Sequence, residues 1–312
     1  MRKVRLGRTE LLVTQVGFGG APIGRDFVSE GDAVQAVWAA IEGGVNLIDT
    51  SPHYGLGRSE ERIGRALTQR PALREGLLLS TKTGHYGDEK DYSYERTKRS
   101  VAKSLERLGV DYLDILHIHD VQEAEHLREL VANRSAVHAL QELRHEGVIG
   151  NLGVGTKSLE VIAVALECGL FDCVMMANQY NLVDQSGGAL IEDLVRADIG
   201  VLVAGAYATG ILAKGSADPD AKYRYRPASG AVRARVAAIE ELCARWDVAL
   251  PAAAVQFCLR AGPLDLSPGV GVVLGARTAE QGRALCAAVA AEAPEGFWQE
   301  VNELLCSSAT PA

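Results

Sequence analysis

Four side chains whose types can do chemistry together sit where apolar runs give way to loops. Asp49 closes the run 45–48, and Tyr54 follows it within Asp49-Thr50-Ser51-Pro52-His53-Tyr54-Gly55. Lys82 closes the run 77–82, and His119 closes 112–119. Pro52 and Gly55 mark a loop leaving a strand end, where polar groups face a site instead of packing. A phenol beside a cation and a carboxylate has a definite use. Lys82 favours the phenolate and lowers the pKa of Tyr54, while Asp49 holds Lys82 in place. His119 is placed to hydrogen-bond a substrate carbonyl or hydroxyl. Such a set suits a proton donor and acceptor working beside hydride transfer.

The elements that must position these groups alternate along the chain. Residues 3–13 read as a hairpin turning at Gly7-Arg8. Strands are expected at 13–20, 45–48, 77–82, 112–119, 148–155, 173–178, 200–206 and 270–274. Helices are expected at 30–43, 59–67, 93–108, 136–145, 158–167, 188–197, 232–246, 252–260, 278–290 and 297–305. Ser59, ahead of two glutamates, reads as a helix cap. The strand runs are apolar on both faces, as a parallel sheet covered by helices requires. Eight such units imply a closed (β/α)8 barrel, a TIM barrel with an N-terminal β-hairpin and a C-terminal helix, over 1–312 as one domain. The hairpin is placed to plug the N-terminal mouth. An open doubly wound sheet is the rival, but no Gly-x-Gly-x-x-Gly opens a helix after the first strand. In a barrel, active residues lie at the C-terminal strand ends, so the four side chains converge. The irregular stretch 217–229 is a lid, a binding segment or a disordered loop.

Composition narrows the class. The chain has 312 residues, 47% hydrophobic and 23% charged, with net charge −8. That is the balance of a soluble globular protein, and no basic block points to nucleic acid or an anionic membrane as partner. The N-terminus lacks the apolar region of a signal peptide, and no run of 18 apolar residues occurs, so a cytoplasmic protein is expected. Six scattered cysteines form no metal-ligand or disulfide pattern, and Cys243 and Cys258 read as small core residues. No metal site is expected.

The residues also carry a resemblance. Asp49 to Gly55, Ser80-Thr81-Lys82 and Asp111 to His119 resemble the three segments that hold the Asp, Tyr, Lys and His tetrad of the aldo-keto reductases. The resemblance extends from Leu6-Gly7 to about Arg283. It implies a (β/α)8 enzyme using a nicotinamide cofactor. Tyr54 is then the general acid/base, Lys82 and Asp49 its tuners, and His119 the substrate orienter. His117 lies two residues before His119 and reads as a satisfied barrel-interior histidine. His53 and His85 are candidates to line the substrate pocket, with the loop around 223–226.

The cofactor segments depart from the family pattern. Where relatives have Ser-Asn after the fifth strand, this chain has Gly155-Thr156, leaving Thr156 as the side chain for the carboxamide. Gln179 is assigned to the same carboxamide. The usual Tyr-Ser-Pro-Leu-Gly is replaced by Ala204-Gly205-Ala206-Tyr207-Ala208, so Gly205, Ala206 and Tyr207, with Thr209, Gly210 and Leu212 beyond, become the candidate wall. After the eighth strand, Gly275 and Gln281 stand where NADP-preferring relatives often carry Lys and Arg, and Arg277 remains as a cation. The helix opening there offers N–H groups to a phosphate. NAD is therefore favoured, with NADP the alternative.

These departures, with Gly19-Gly20-Ala21-Pro22 after the first strand, look similar to the sugar 1-dehydrogenase branch of the family, which also includes a pyridoxal dehydrogenase. The small-molecule substrate implied is an aldose or hydroxy-aldehyde, oxidised as a cyclic hemiacetal to a lactone. The alternatives are an NADPH-dependent reductase of aldehydes and ketones, a class I aldolase forming a Schiff base at Lys82, and a non-catalytic subunit that senses a bound cofactor.

Overall fold

The computed structural model describes residues 1–260, 269–290 and 292–307. Eight parallel strands close into a barrel in chain order: Val16–Gly19, Leu47–Asp49, Leu78–Thr83, Leu113–His119, Ile149–Thr156, Cys173–Ala177, Gly200–Ala204 and Val270–Gly275. The last pairs with the first, Val272 opposite Val16, which seals the ring. Helices cover the outside, and the main core lies between them and the strands.

The expected strand at 13–20 is divided. Leu12–Thr14 pairs antiparallel with Lys3–Arg5, and the barrel strand starts only at Val16. Asn46 causes the break, because its Oδ1 accepts from Thr14 N at 2.6 Å and its Nδ2 donates to Leu12 O at 2.8 Å. The hairpin then closes the N-terminal end. Val4, Leu6 and Val13 pack onto Leu47, Ile115 and Leu202 in a second cluster inside the barrel floor.

Helix starts follow their caps. Ser29, Ser158, Ser229 and Thr278 each accept a backbone N–H from the first turn that follows, which satisfies a donor the helix leaves free. Ser59 does not cap. Its helix, Arg58–Gln69, begins after Gly57, in the left-handed region at φ 97°. Ser59 lies inside that helix, donating to Gly20 O at 2.8 Å and sharing a 2.7 Å bond with Thr50 Oγ1. It thereby ties together the ends of the first two barrel strands, next to the catalytic face.

The stretch 217–229 is more ordered than its composition suggests. Lys222–Tyr223 pairs with Arg226–Pro227 across a turn in which Arg224 and Tyr225 have φ of 48° and 66°. Arg224 anchors this small hairpin to the fully buried Asp184 at 2.6 Å. Tyr225 reaches Lys157, beyond the fifth strand, with Nζ 5.3 Å from the ring centroid. A helix at Ala124–Ala132 was not expected from the sequence.

Candidate active site

The barrel register brings Asp49, Lys82 and His119 to one end. Asp49 pairs with Ser80, and Lys82 lies beside His117, two residues before the strand end at His119. Tyr54 comes back over them from the loop after the second strand. Asp49, Tyr54, Lys82 and His119 all line one cavity of about 1070 Å³. That is a large volume for one small ligand and fits a dinucleotide together with a substrate.

Lys82 is the centre of the charge arrangement. Its Nζ donates to Asp49 Oδ2 and, at 2.8 Å, to Thr50 O. Ser80 Oγ donates to the other carboxylate oxygen of Asp49 at 2.8 Å. The same ammonium faces Tyr54, 5.0 Å from its ring centroid. Burial alone would lower the pKa of Lys82; Asp49 and Tyr54 reverse this and hold it above the ordinary value. Tyr54 differs from the expectation. Its pKa is raised, because burial outweighs the downward pull of Lys82 and Asp49 adds to the rise. The cation moderates the phenol without bringing it below its ordinary range.

His119 is neutral. Burial, then Lys82 and the imidazoles of His85, His53 and His117, hold it well below the usual range. Its Nδ1 lies 3.0 Å from Ser51 Oγ, which also accepts the His53 backbone N–H at 3.1 Å. Ser51 is fully buried. The Ser51 hydroxyl has no other acceptor among the described residues, which assigns its proton to His119 Nδ1 and the imidazole proton to Nε2. Tyr92 OH, donating to His119 O at 2.8 Å, fixes the backbone beneath. The result is a neutral N–H donor beside a phenol and an ammonium, able to hold a substrate oxygen and pass it a proton.

His117 is inside the barrel and fully buried, but neither ring nitrogen has a protein hydrogen-bond partner among the described residues. Burial and Lys82 keep it neutral, well below the usual range. It packs against Gly153, where a Cβ would come within 2.2 Å of its Nδ1. The expectation of a satisfied histidine is thus corrected: the site is filled by shape.

The Aldo/keto reductase family model matches residues 15–305. The chain belongs to this family. It is 31% identical to a D-threo-aldose 1-dehydrogenase of Pseudomonas sp, over 94% of each chain. It is 30% identical to a pyridoxal 4-dehydrogenase of Microbacterium luteolum, over 95% of each. Among solved structures, the holo form of an aldo-keto reductase from Bacillus halodurans superimposes with TM-score 0.80 at 26% identity, covering 97% of this chain and 96% of that one.

Aldo-keto reductases use a nicotinamide cofactor, and the remaining cavity wall of this member fits one. Gly205, Ala206, Tyr207, Thr209 and Gly210 all line it. Thr209 holds a buried hydroxyl without a protein partner at a left-handed φ of 64°, a polar atom available to a ligand. Gly205 is required where it stands, since a Cβ would lie 2.2 Å from Asn178 Oδ1. Tyr207 also lines the cavity, with burial raising its phenol to about 12.

Three expected cofactor contacts are not placed to serve. Leu212 is fully buried in the core, outside the wall, and its N–H donates to Tyr207 O. Gln179 is turned away: its Nε2 donates to Lys157 O at 2.6 Å, and its Oε1 accepts from Ser186 Oγ at 2.9 Å. Thr156 lines the cavity, but its hydroxyl donates to Val121 O at 2.7 Å and accepts from Ser158 N. The residue facing the cavity after the sixth strand is Asn178, in the left-handed region at φ 62°. An Asn just past a strand end is a turn signal, and it was available in the sequence.

At the far end of the cavity lie Gly275, Arg277 and Gln281. Gln281 is a capping residue here. Its N–H donates to Thr278 Oγ1 at 3.3 Å, and its Oε1 accepts from Arg277 N at 3.0 Å. Gly275 faces Pro22, whose Cγ would lie 2.5 Å from a Cβ added there. The exposed Arg277 guanidinium sits 5.8 Å from the ring centroid of Phe27. His53 lines the opposite, tetrad end of the cavity, with His85 and Asp120.

Proposed function

We propose that this aldo-keto reductase oxidises the anomeric hydroxyl of an aldose to a lactone, preferentially with NAD. The observation that carries the reading is the convergence of three imidazoles at the tetrad end of the cavity, His53 and His119 against the ring of Tyr54 and His85 against both of them. A wall of neutral hydrogen-bonding rings suits a substrate rich in hydroxyls, since each hydroxyl left unpaired on burial costs about 1–3 kcal/mol. The similarity to a D-threo-aldose 1-dehydrogenase supports the same substrate class. The preference for NAD rests on Gln281 and Gly275, which offer no cation at the position where a 2′-phosphate needs one.

In the proposed reaction, the His119 Nε2–H holds the oxygen of the reacting hydroxyl, and Tyr54 removes its proton. Lys82 stabilises the phenolate that receives this proton, while Asp49 keeps the ammonium charged and directed. A bound nicotinamide supplies the hydride acceptor at the reacting carbon. Asn178, Thr209 and Gly205, with Arg277 at the far end of the cavity, are the residues that would hold the cofactor. In the reducing direction Tyr54 returns its proton to the carbonyl oxygen.

Schiff-base chemistry at Lys82 is disfavoured, because an amine held charged by a buried carboxylate is not a nucleophile. The test is NADH formation at 340 nm across a panel of aldoses and pyridoxal, with NAD and NADP. Oxidation of one stereochemical series with NAD supports the proposal. Activity confined to simple aldehydes with NADPH replaces it with a general carbonyl reductase. Activity on pyridoxal alone moves the substrate class, and tight cofactor binding without turnover points to a sensing subunit.

A further inference from the structure

The cavity mouth contains an arrangement that hydride transfer itself does not require. His53 and His85 are stacked, with ring centroids 3.9 Å apart and planes 25° from parallel. Both stand against His119, at 5.7 Å and 5.3 Å. His85 is carried by a two-residue strand, His85–Tyr86, paired with Glu89–Lys90 beyond the third barrel strand. His53 comes from the loop after the second. Two loops therefore converge on one ring pair.

Behind His85 stands Asp120, with Oδ2 3.5 Å from His85 Nδ1. That carboxylate is itself fixed. Its Oδ2 takes Lys90 Nζ at 3.2 Å, its Oδ1 takes Gln122 Nε2 at 2.7 Å, and its backbone is held in the left-handed region at φ 61°. A carboxylate facing one ring nitrogen favours the proton there and so selects the tautomer. The Nδ1 of His85 is buried 3.5 Å from this carboxylate and makes no hydrogen bond among the described residues, while the ring lines the cavity. The charge of Asp120 favours the proton on Nδ1 and the lone pair on Nε2. Burial, with His53 and Lys90 nearby, outweighs the pull of Asp120 and of the Gly87 backbone and holds His85 below the usual imidazole range, so the ring is neutral at neutral pH.

Next to it, His119 presents the opposite polarity. Ser51 sets its Nε2 as a donor, as argued above. The wall thus offers an acceptor beside a donor. The rings are close enough for oxygens on neighbouring carbons to reach one each.

We propose that His85 is a specificity-determining residue whose Nε2 accepts the hydroxyl on the carbon next to the reacting carbon. The site then selects α-hydroxy carbonyl compounds, and the aldoses that contain that unit, over their deoxy analogues. His53, stacked on the ring, holds it upright. This rests on the proposed function for its chemistry but not for its direction or for the identity of the sugar. An analogue lacking the hydroxyl leaves the acceptor unpaired, which is how polar sites reject such molecules.

The test uses two aldehydes that differ only in that hydroxyl, 2-hydroxypropanal and propanal, reduced with NADH and with NADPH. The wild-type chain should prefer 2-hydroxypropanal by about 10- to 100-fold in kcat/KM. His85→Phe keeps a flat ring for the stack and removes both nitrogens. Its kcat/KM for 2-hydroxypropanal should fall by about tenfold or more beyond any fall for propanal. Asp120→Asn, which withdraws the carboxylate, should erode the same ratio in part. Equal losses on both aldehydes, an unchanged ratio in His85→Phe, or a wild type indifferent to the hydroxyl each overturn the inference. Aldose oxidation is scored separately. An intact preference for 2-hydroxypropanal without lactone formation removes the sugar dehydrogenase reading and leaves the role of His85 in place.

Discussion

Lys82 and Asp49 form an ion pair inside the barrel with side chains 1% and 3% exposed. Desolvation works against both charges, so each depends on the other. Removing one partner from such a pair costs roughly 3–5 kcal/mol, whereas replacing both with apolar groups costs far less. Asp49→Ala should therefore destabilise the protein by about that amount in denaturant unfolding, and adding Lys82→Met should recover more than half of it. Additive losses in the double variant would show that the pair is not coupled in this way.

Lys82 also sets the basicity of Tyr54. In the free enzyme burial raises the phenol and Lys82 opposes the rise. Deprotonated Tyr54 is the form needed for oxidation, so oxidative kcat/KM should climb with pH through the titration of Tyr54. Loss of the cation leaves the upward push unopposed. Lys82→Met should accordingly move that limb to higher pH, with the rate at fixed pH below it falling about tenfold per unit moved. A limb that stays in place, or moves to lower pH, would assign it to another group.

Ser51 is predicted to act through His119. It is fully buried and bridges the His53 N–H and His119 Nδ1. Ser51→Ala frees the imidazole proton to shift to Nδ1, away from the substrate. Its kcat/KM should fall by about tenfold, the equivalent of one hydrogen bond of roughly 1–1.5 kcal/mol. Cofactor affinity should be unchanged, and Ser51→Thr should restore much of the rate. Equal weakening of cofactor binding would indicate a general disturbance of the loop.

Cofactor choice should respond to position 281 before position 275. Gln281→Arg adds a cation at the helix start and should raise the ratio of NADP to NAD use in kcat/KM. Gly275→Lys alone should not, because Pro22 occupies the space a Cβ needs. An improvement from Gly275→Lys without any change at Pro22 would show that the first loop yields.

The barrel was legible because its signal is repeated. Each strand is an apolar run ended by glycine or polar residues, each is followed by a helical period, and closure follows from eight of them. The tetrad was legible because Asp49, Lys82 and His119 each lie at or beside a strand end. Features fixed by side chains from elsewhere in the chain were hidden. Ser59 looks like a cap until Gly57 starts the helix ahead of it and Gly20 takes its hydroxyl. Asn46 divides the first strand from a distance of 32 residues. Gln179 has the right chemistry, but Asn178 takes a left-handed backbone and turns the chain, leaving Gln179 to bond Lys157 and Ser186. The direction of the Tyr54 shift was missed for a related reason. The neighbouring charges were readable, but the depth of burial that outweighs them was not.

The central claim is that Tyr54 carries the proton in a hydride-transfer reaction, and Tyr54→Phe tests it most directly. NADH and NADPH binding should be measured by fluorescence, and turnover at 340 nm with the substrate the wild type uses best. The account predicts cofactor affinity close to wild type and a fall in kcat of about 100- to 10,000-fold, the contribution of one general acid/base. Turnover within a few fold of wild type, with the cofactor bound normally, would contradict it.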